Sequence, residues 1–175
     1  NDNIESTQPQ TTSSTATTTT TTTIIPNKNP QIVYPCTAVS IERILDHYHT
    51  KGNWENQVVS IVNRSEIVGR PLAAMLGKLG ATVYSIDINS ILRFQPNGRL
   101  HRCTSRKTLE DCLFESTIVV TGVPQEDFRI PTDRLQEGTT LVNVSEFTNV
   151  CEKEIMERRD INYIPQVGKV TVAML

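Results

Sequence analysis

The sequence predicts a doubly wound α/β domain: a parallel sheet with helices on both faces, behind a disordered Thr-rich N-terminal tail. Three observations predict it. Short β-branched runs at 57–62, 82–88, 117–121 and 139–144 are apolar on both faces, as strands of a sheet covered on two sides must be. Segments with apolar residues at helical spacing lie between most of these runs. Residues 1–23 hold eleven Thr, three Ser and a single large aliphatic residue, Ile4. That is too little apolar surface to offset the entropy of ordering.

Taken in order, residues 24–30 add two prolines and polar residues and read as a linker, so 1–30 is tail and linker and 31–175 is the folded domain. Thr37 is positioned to cap a helix running to about Tyr48, with Val39, Ile41, Ile44, Leu45 and Tyr48 as its apolar stripe. Strand 57–62 follows. A helix over 68–79 carries Pro71 near its first turn and stops at Gly80. After strand 82–88 comes an irregular stretch with Pro96, Asn97 and Gly98, then a short helix over 108–114. Strand 117–121 ends in Gly122-Val123-Pro124, and 139–144 is the fourth strand. Residues 152–158 read as helical with a solvated charged face, 161–164 as a short extended piece, and 170–175 as the start of an apolar helix.

Composition narrows the partner. With 175 residues, 37% apolar, 21% charged and a formal charge of −2, the chain fits one domain. Apolar runs of about five residues fall far short of the roughly 20 that span a bilayer, and no signal-peptide pattern opens the chain. Acids interleave with bases, which is unlike a phosphate-tracking nucleic-acid surface. Cys36, Cys103, Cys112 and Cys151 have no CxxC spacing, so neither a disulfide framework nor a zinc site is expected, and the compartment should be reducing and cytoplasmic. Cys36 defaults to a small buried hydrophobe. His47 and His49, two apart, do not share a helix face, which disfavours a metal. Asn63 and Asn143 open glycosylation sequons, but both stand at strand ends. A small-molecule partner remains.

Ligands of such sheets bind at the carboxyl ends of the strands. The first strand runs into Asn63-Arg64-Ser65-Glu66-Ile67-Val68-Gly69-Arg70-Pro71 and then a helix. Backbone amides and the positive dipole end of that helix suit a phosphate, to which Ser65 and Arg64 add a hydroxyl and a guanidinium. Gly69 removes a Cβ that would obstruct close approach. An ordinary strand-to-helix turn with a solvated arginine fits the same residues, since only one glycine is present. Asp87 ends the second strand 18 positions after Gly69, near the roughly 20-residue offset at which a carboxylate takes the adenosine ribose of a dinucleotide and repels a 2'-phosphate, although an aspartate at a strand end is also a common turn former. The cofactor expected is therefore NAD on a Rossmann-like domain. Gly122, Val123 and Pro124 would let a ring lie against backbone, although a plain tight turn explains them too.

Tyr34-Pro35-Cys36-Thr37, the Asn63-Arg64-Ser65 turn, and the ending from Tyr163 through Gly168-Lys169-Val170-Thr171 to Leu175 closely resemble the methylenetetrahydrofolate dehydrogenase family. In particular they are similar to its monofunctional, NAD-dependent, fungal-type branch, where Asn-Arg-Ser replaces the Gly-Arg-Ser of the bifunctional NADP enzymes. The resemblance implies oxidation of 5,10-methylenetetrahydrofolate to the methenyl form with hydride passing to NAD, in a homodimer. It assigns Arg64, Ser65 and Ile67 to the pyrophosphate side, Asp87 to the ribose, and Gly122, Val123, Pro124 and Asn143 to the cofactor's other half. Pro35, Cys36, Thr37, Gly168, Lys169, Val170 and Thr171 would form the folate edge. Three departures stand out: a Thr-rich tail replaces the family's folate-binding domain, the terminal helix breaks off at Leu175, and Ala38 replaces the second proline of Pro-Cys-Thr-Pro. The expectation is a fragment that binds NAD better than it turns over and that lacks cyclohydrolase activity. The competing expectations are a non-catalytic NAD-binding module and another NAD-dependent dehydrogenase on the same sheet.

Overall fold

A computed structural model describes residues 33–96 and 98–168. The expected tail and linker over 1–30, and the helix expected over 170–175, fall outside the described residues. Within them the elements are α1 (Cys36–Leu45), β1 (Val58–Val62), α2 (Gly69–Leu79), β2 (Thr82–Asp87), β3 (Ser90–Phe94), β4 (Leu100–Arg102), α3 (Leu109–Glu115), β5 (Ile118–Thr121), β6 (Thr140–Asn143), α4 (Glu152–Glu157) and β7 (Asn162–Ile164). They build one seven-stranded sheet in the order β4-β3-β2-β1-β5-β6-β7. The pairs β2–β1, β1–β5, β5–β6 and β6–β7 are parallel, as the apolar runs require.

Side chains alternate across the sheet with period two. Val59, Ile61, Val83, Ile118, Val120 and Val142 face a core shared with Ile41, Leu45, Leu72 and Leu76 of α1 and α2. Tyr84, Ile86, Val119 and Leu141 face the opposite core, against Cys112 and Leu113 of α3 and Ile155 of α4. Both layers are fully buried, which explains strands without a polar face. Ser60, on the second face, is tolerated because the Ser116 hydroxyl donates to its oxygen at 2.8 Å, so no polar atom is stranded there. Gly80, at φ +112°, ends α2 in the left-handed conformation open to glycine. Thr108 caps α3 in a reciprocal capping box with Asp111.

Four expectations are corrected. The stretch expected to be irregular forms an antiparallel hairpin, β3–β4, added to the edge of the parallel sheet. Pro96 and Gly98 belong to its connection, and its strands are half-exposed or exposed, so they carry no buried apolar run. At the other end Thr37 caps nothing. Pro35 takes the cap position, and the helix widens after Leu45 into a π-helical turn, Asp46–Thr50. The extra residue in that turn rotates Tyr48 out of the apolar stripe to 71% exposure. It also directs His49 between Thr140 Oγ1 (2.7 Å) and Gln57 Oε1 (3.2 Å). Cys36 is half-buried, not buried, and all four cysteines are free. Among the described residues no helix is long and apolar enough to cross a membrane.

On the α3 side the Tyr84 ring lies beneath Arg93 (5.7 Å) and Lys107 (5.0 Å). Its hydroxyl donates to Glu115 Oε2 at 2.5 Å, and Lys107 bonds the other carboxylate oxygen. Burial, then the carboxylate, pushes the Tyr84 phenol up to about 12. Burial pushes Glu115 up, but the bonds from Lys107 and Tyr84 outweigh it and hold the carboxyl below its ordinary 4.5. A carboxyl lowered by folding contributes stability above its unfolded pKa and loses it as pH falls through the folded value. Lowering the pH from 7 to 3 should therefore cost the native chain more of its urea midpoint than it costs Glu115→Gln. Equal losses would remove this cluster from the pH response.

Candidate dinucleotide site

The chain steps from β1 outward to β2 on one side and returns to β5 on the other, so the loops after β1 and β5 diverge. That divergence is where open α/β sheets bind ligands. Four strand ends meet there, carrying Asp87, Asn63, Gly122 and Asn143.

The turn after β1 is tightly specified. Asn63 adopts φ +91°, donates its backbone N–H to Ile86 O (3.1 Å), and donates Nδ2 to Gly122 O (2.6 Å). Ser65 Oγ accepts the N–H groups of Val68 and Gly69, both at 3.1 Å, so the hydroxyl caps the start of α2. Ile67 stands outside, 71% exposed. A Cβ on Gly69 would lie 2.2 Å from the Asn63 carbonyl oxygen. The glycine is thus needed for helix to touch strand, a constraint beside the expected room for a ligand.

Arg64 is also placed differently from the expectation of a phosphate ligand at the helix end. Its Nε donates to Ser85 Oγ (3.1 Å), Nη1 to Ser90 Oγ (2.9 Å), and Nη2 to the carbonyls of Ser85 (2.6 Å) and Ser90 (2.8 Å). The cause is β3, the unexpected strand, which sets Ser90 beside the end of β2. Nη1 lies 3.9 Å from Asp87 Oδ2. Burial pulls the Arg64 pKa down and Asp87 pushes back. Asp87 itself is 45% exposed, and its Oδ1 accepts the Ile88 N–H at 2.9 Å.

Three cavities follow one another along this edge. The first, about 380 Å³, has Asp87 at its rim and apolar walls from Ile86, Ile88, Leu109, Val123, Pro124 and Phe128. A narrow one of about 90 Å³ lies among Asn63, Ser65, Gly69, Gly122 and Val144. The third, about 560 Å³, brings Thr37, Asn143, Ser145, Tyr163 and Gly168 together. Pro35 and Cys36 do not line it, and Lys169, Val170 and Thr171 fall outside the described residues. Asn143 is 4% exposed; Nδ2 donates to Ser145 O (3.3 Å) and Phe147 O (3.0 Å), while Oδ1 is buried without a partner. Gly122 permits the close passage of β6, since a Cβ there would meet Val144 Cγ2 at 2.8 Å.

Several residues at this edge had no distinguishing signal in the sequence. Asn149 is fully buried and accepts Thr121 Oγ1 (3.1 Å) and Val123 N–H (2.9 Å) on Oδ1 while donating to Val123 O (3.0 Å). It fixes the lip formed by Val123 and Pro124. Ile88, 88% exposed at the cavity mouth, reads in sequence only as the end of a strand.

Residues 35–175 match the family model described as "Tetrahydrofolate dehydrogenase/cyclohydrolase, NAD(P)-binding domain". The chain is 41% identical over 157 residues to a methylenetetrahydrofolate dehydrogenase [NAD(+)] of Dictyostelium discoideum, covering 82% of this chain and 48% of that one. It is 37% identical over 159 residues to the enzyme of the same name from Saccharomyces cerevisiae, covering 82% and 49%. The solved structure of the NAD-dependent 5,10-methylenetetrahydrofolate dehydrogenase from Saccharomyces cerevisiae superposes with a TM-score of 0.70 at 35% identity, over 80% of this chain and 49% of that one. The chain thus spans about half the length of the curated relatives it matches.

The Gly69 contact makes a direct prediction. Gly69→Ala should lower the unfolding free energy by about 2 kcal/mol, within the usual cost of overpacking, measured by urea denaturation. A neutral substitution would show that the helix–strand contact yields freely.

Proposed function

Because the chain belongs to the tetrahydrofolate dehydrogenase/cyclohydrolase family through that family's NAD(P)-binding domain, we propose that it binds NAD along this edge as the dinucleotide half of a methylenetetrahydrofolate dehydrogenase. The residues present fit that cofactor. The apolar cavity suits an adenine ring, with Asp87 at its rim for the ribose. Ser65, Val68 and Gly69 line the narrow cavity assigned to the pyrophosphate, with Ile67 in the same turn. Val123 and Pro124, expected at the cofactor's other half, wall the adenine cavity instead; Gly122 lines the narrow passage, and Asn143 lines the cavity left for the nicotinamide half, where its Oδ1 is an unused acceptor. Thr37 and Gly168 border the same cavity, and with Pro35, Cys36, Lys169, Val170 and Thr171 they make the folate edge of the reading.

The observation that carries the choice of NAD is the pairing of Asp87 with Arg64. A carboxylate accepts hydrogen bonds from both ribose hydroxyls and repels a 2'-phosphate. Arg64, the cation nearest to it, has four of its five N–H donors on Ser85 and Ser90, so it offers a 2'-phosphate little.

Bound NAD supplies the hydride acceptor. The folate methylene carbon gives up its hydride with both electrons, leaving a cation delocalised over two nitrogens, and no proton leaves. The protein's task is therefore to hold donor and acceptor carbons in register and to exclude water, more than to provide a base. Loops fixed by backbone-directed bonds, such as Asn149 on Val123 and Asn143 on the 145–147 loop, serve that end. The same reading carries a homodimer and a cytoplasmic place of action, the latter in keeping with four free cysteines.

The test is calorimetric titration of the 175-residue chain with NAD and NADP. NAD should bind at least tenfold more tightly, and Asp87→Ser should weaken NAD about tenfold or more, the scale of one hydrogen bond to a charged group. The same substitution should narrow the preference. No NAD binding, or an unchanged preference in Asp87→Ser, would overturn the reading.

A further inference from the structure

Asn63 stands where β2, β1, β5 and α2 come together. Its backbone N–H reaches the carbonyl of Ile86 at the end of β2 (3.1 Å). Its side-chain Nδ2 reaches the carbonyl of Gly122 just after β5 (2.6 Å). Its own carbonyl oxygen lies against Gly69, where a Cβ would come within 2.2 Å. The residue also lines both the cavity rimmed by Asp87 and the narrow cavity beyond it.

The backbone conformation, φ +91°, would suit glycine best, and asparagine is among the few other residues that tolerate positive φ. What asparagine adds to glycine here is the amide. That amide spans the gap between two strand ends whose loops diverge, and it ties down the carbonyl of Gly122, the residue from which the lip formed by Val123 and Pro124 departs. Asn149 holds the same lip from the far side through Val123. With both bonds in place the lip has a fixed distance from the turn after β1.

We propose that Asn63 is a positioning residue for the dinucleotide: its side-chain clasp on Gly122 sets the separation between the adenosine cavity and the nicotinamide cavity across the pyrophosphate passage. The proposal rests on the NAD reading above. A ligand that occupies both cavities feels that separation. A ligand confined to the adenosine cavity meets the clasp only through the wall that Asn63, Val123 and Pro124 give that cavity, and so feels it less.

The test compares NAD with 5'-AMP, titrated calorimetrically into the full chain and into Asn63→Gly, with a thermal melt of each. Glycine keeps the left-handed turn and removes only the clasp. NAD should bind about tenfold more weakly to Asn63→Gly, AMP within about twofold of the native chain, and the preference for NAD over NADP should persist because Asp87 is untouched. Asn63→Asp keeps the shape but turns an acceptor toward the Gly122 carbonyl, so it should weaken NAD at least as much. Full retention of NAD affinity in Asn63→Gly would overturn the clasp, and so would equal weakening of NAD and AMP, the mark of a merely structural residue. Failure of the unsubstituted chain to bind NAD would instead overturn the cofactor reading and the clasp with it.

Discussion

A largely buried guanidinium organises the edge of this domain at the ends of β1 and β2. Taking a cation out of water is costly unless its donors are met, and Arg64 meets that cost with two hydroxyls and two carbonyls from Ser85 and Ser90. Those four bonds tie the turn after β1 to the end of β2 and the start of β3. They therefore anchor the hairpin to the parallel sheet at the point where the Asp87 carboxylate projects. Asp87 Oδ2 lies 3.9 Å from this cation and stays open at the cavity rim, while Oδ1 takes the Ile88 N–H.

Much of this arrangement was legible in the sequence, for definable reasons. β1, β2, β5 and β6 are apolar on both faces because helices cover both, and such runs announce a parallel sheet. Asp87 was legible because its distance from Gly69 measures one helix and one strand. The hairpin was not, because its strands lie at the exposed edge and carry no buried run. The consequence reached the site: without β3 there is no Ser90, so Arg64 reads as a free cation aimed at a phosphate. The π-helical turn after α1 was equally silent, since one extra residue per turn leaves the composition unchanged while moving Tyr48 outward and His49 inward.

Glycine and asparagine show a different limit. Gly69 announced a close approach but not what approaches; only the fold shows the Asn63 carbonyl in that space. Asn149 announced nothing, because a buried amide satisfying two backbone groups of a distant loop depends on a tertiary contact 26 residues away in sequence. Polar residues that act by fixing loops are recognisable only once the loops have places.

The two cores explain why these loops can be fixed at all. Each parallel strand is held on one face by α1 and α2 and on the other by α3 and α4, so strand ends have little freedom to shift. Short side chains can then set loop positions with single hydrogen bonds: Asn63 to Gly122, Asn149 to Val123, Ser145 to Val123 at 2.9 Å. The hydride transfer proposed above releases no proton and would make its main demand on such geometry. The described residues flanking the three cavities accordingly offer rigid amides, hydroxyls and carbonyls in place of an activated nucleophile, and the buried thiol nearest the adenosine side, Cys112, is driven to about 12 by burial and stays protonated. On the proposed function, what this scaffold would contribute is geometry: the strand ends set where donor and acceptor carbons would be held.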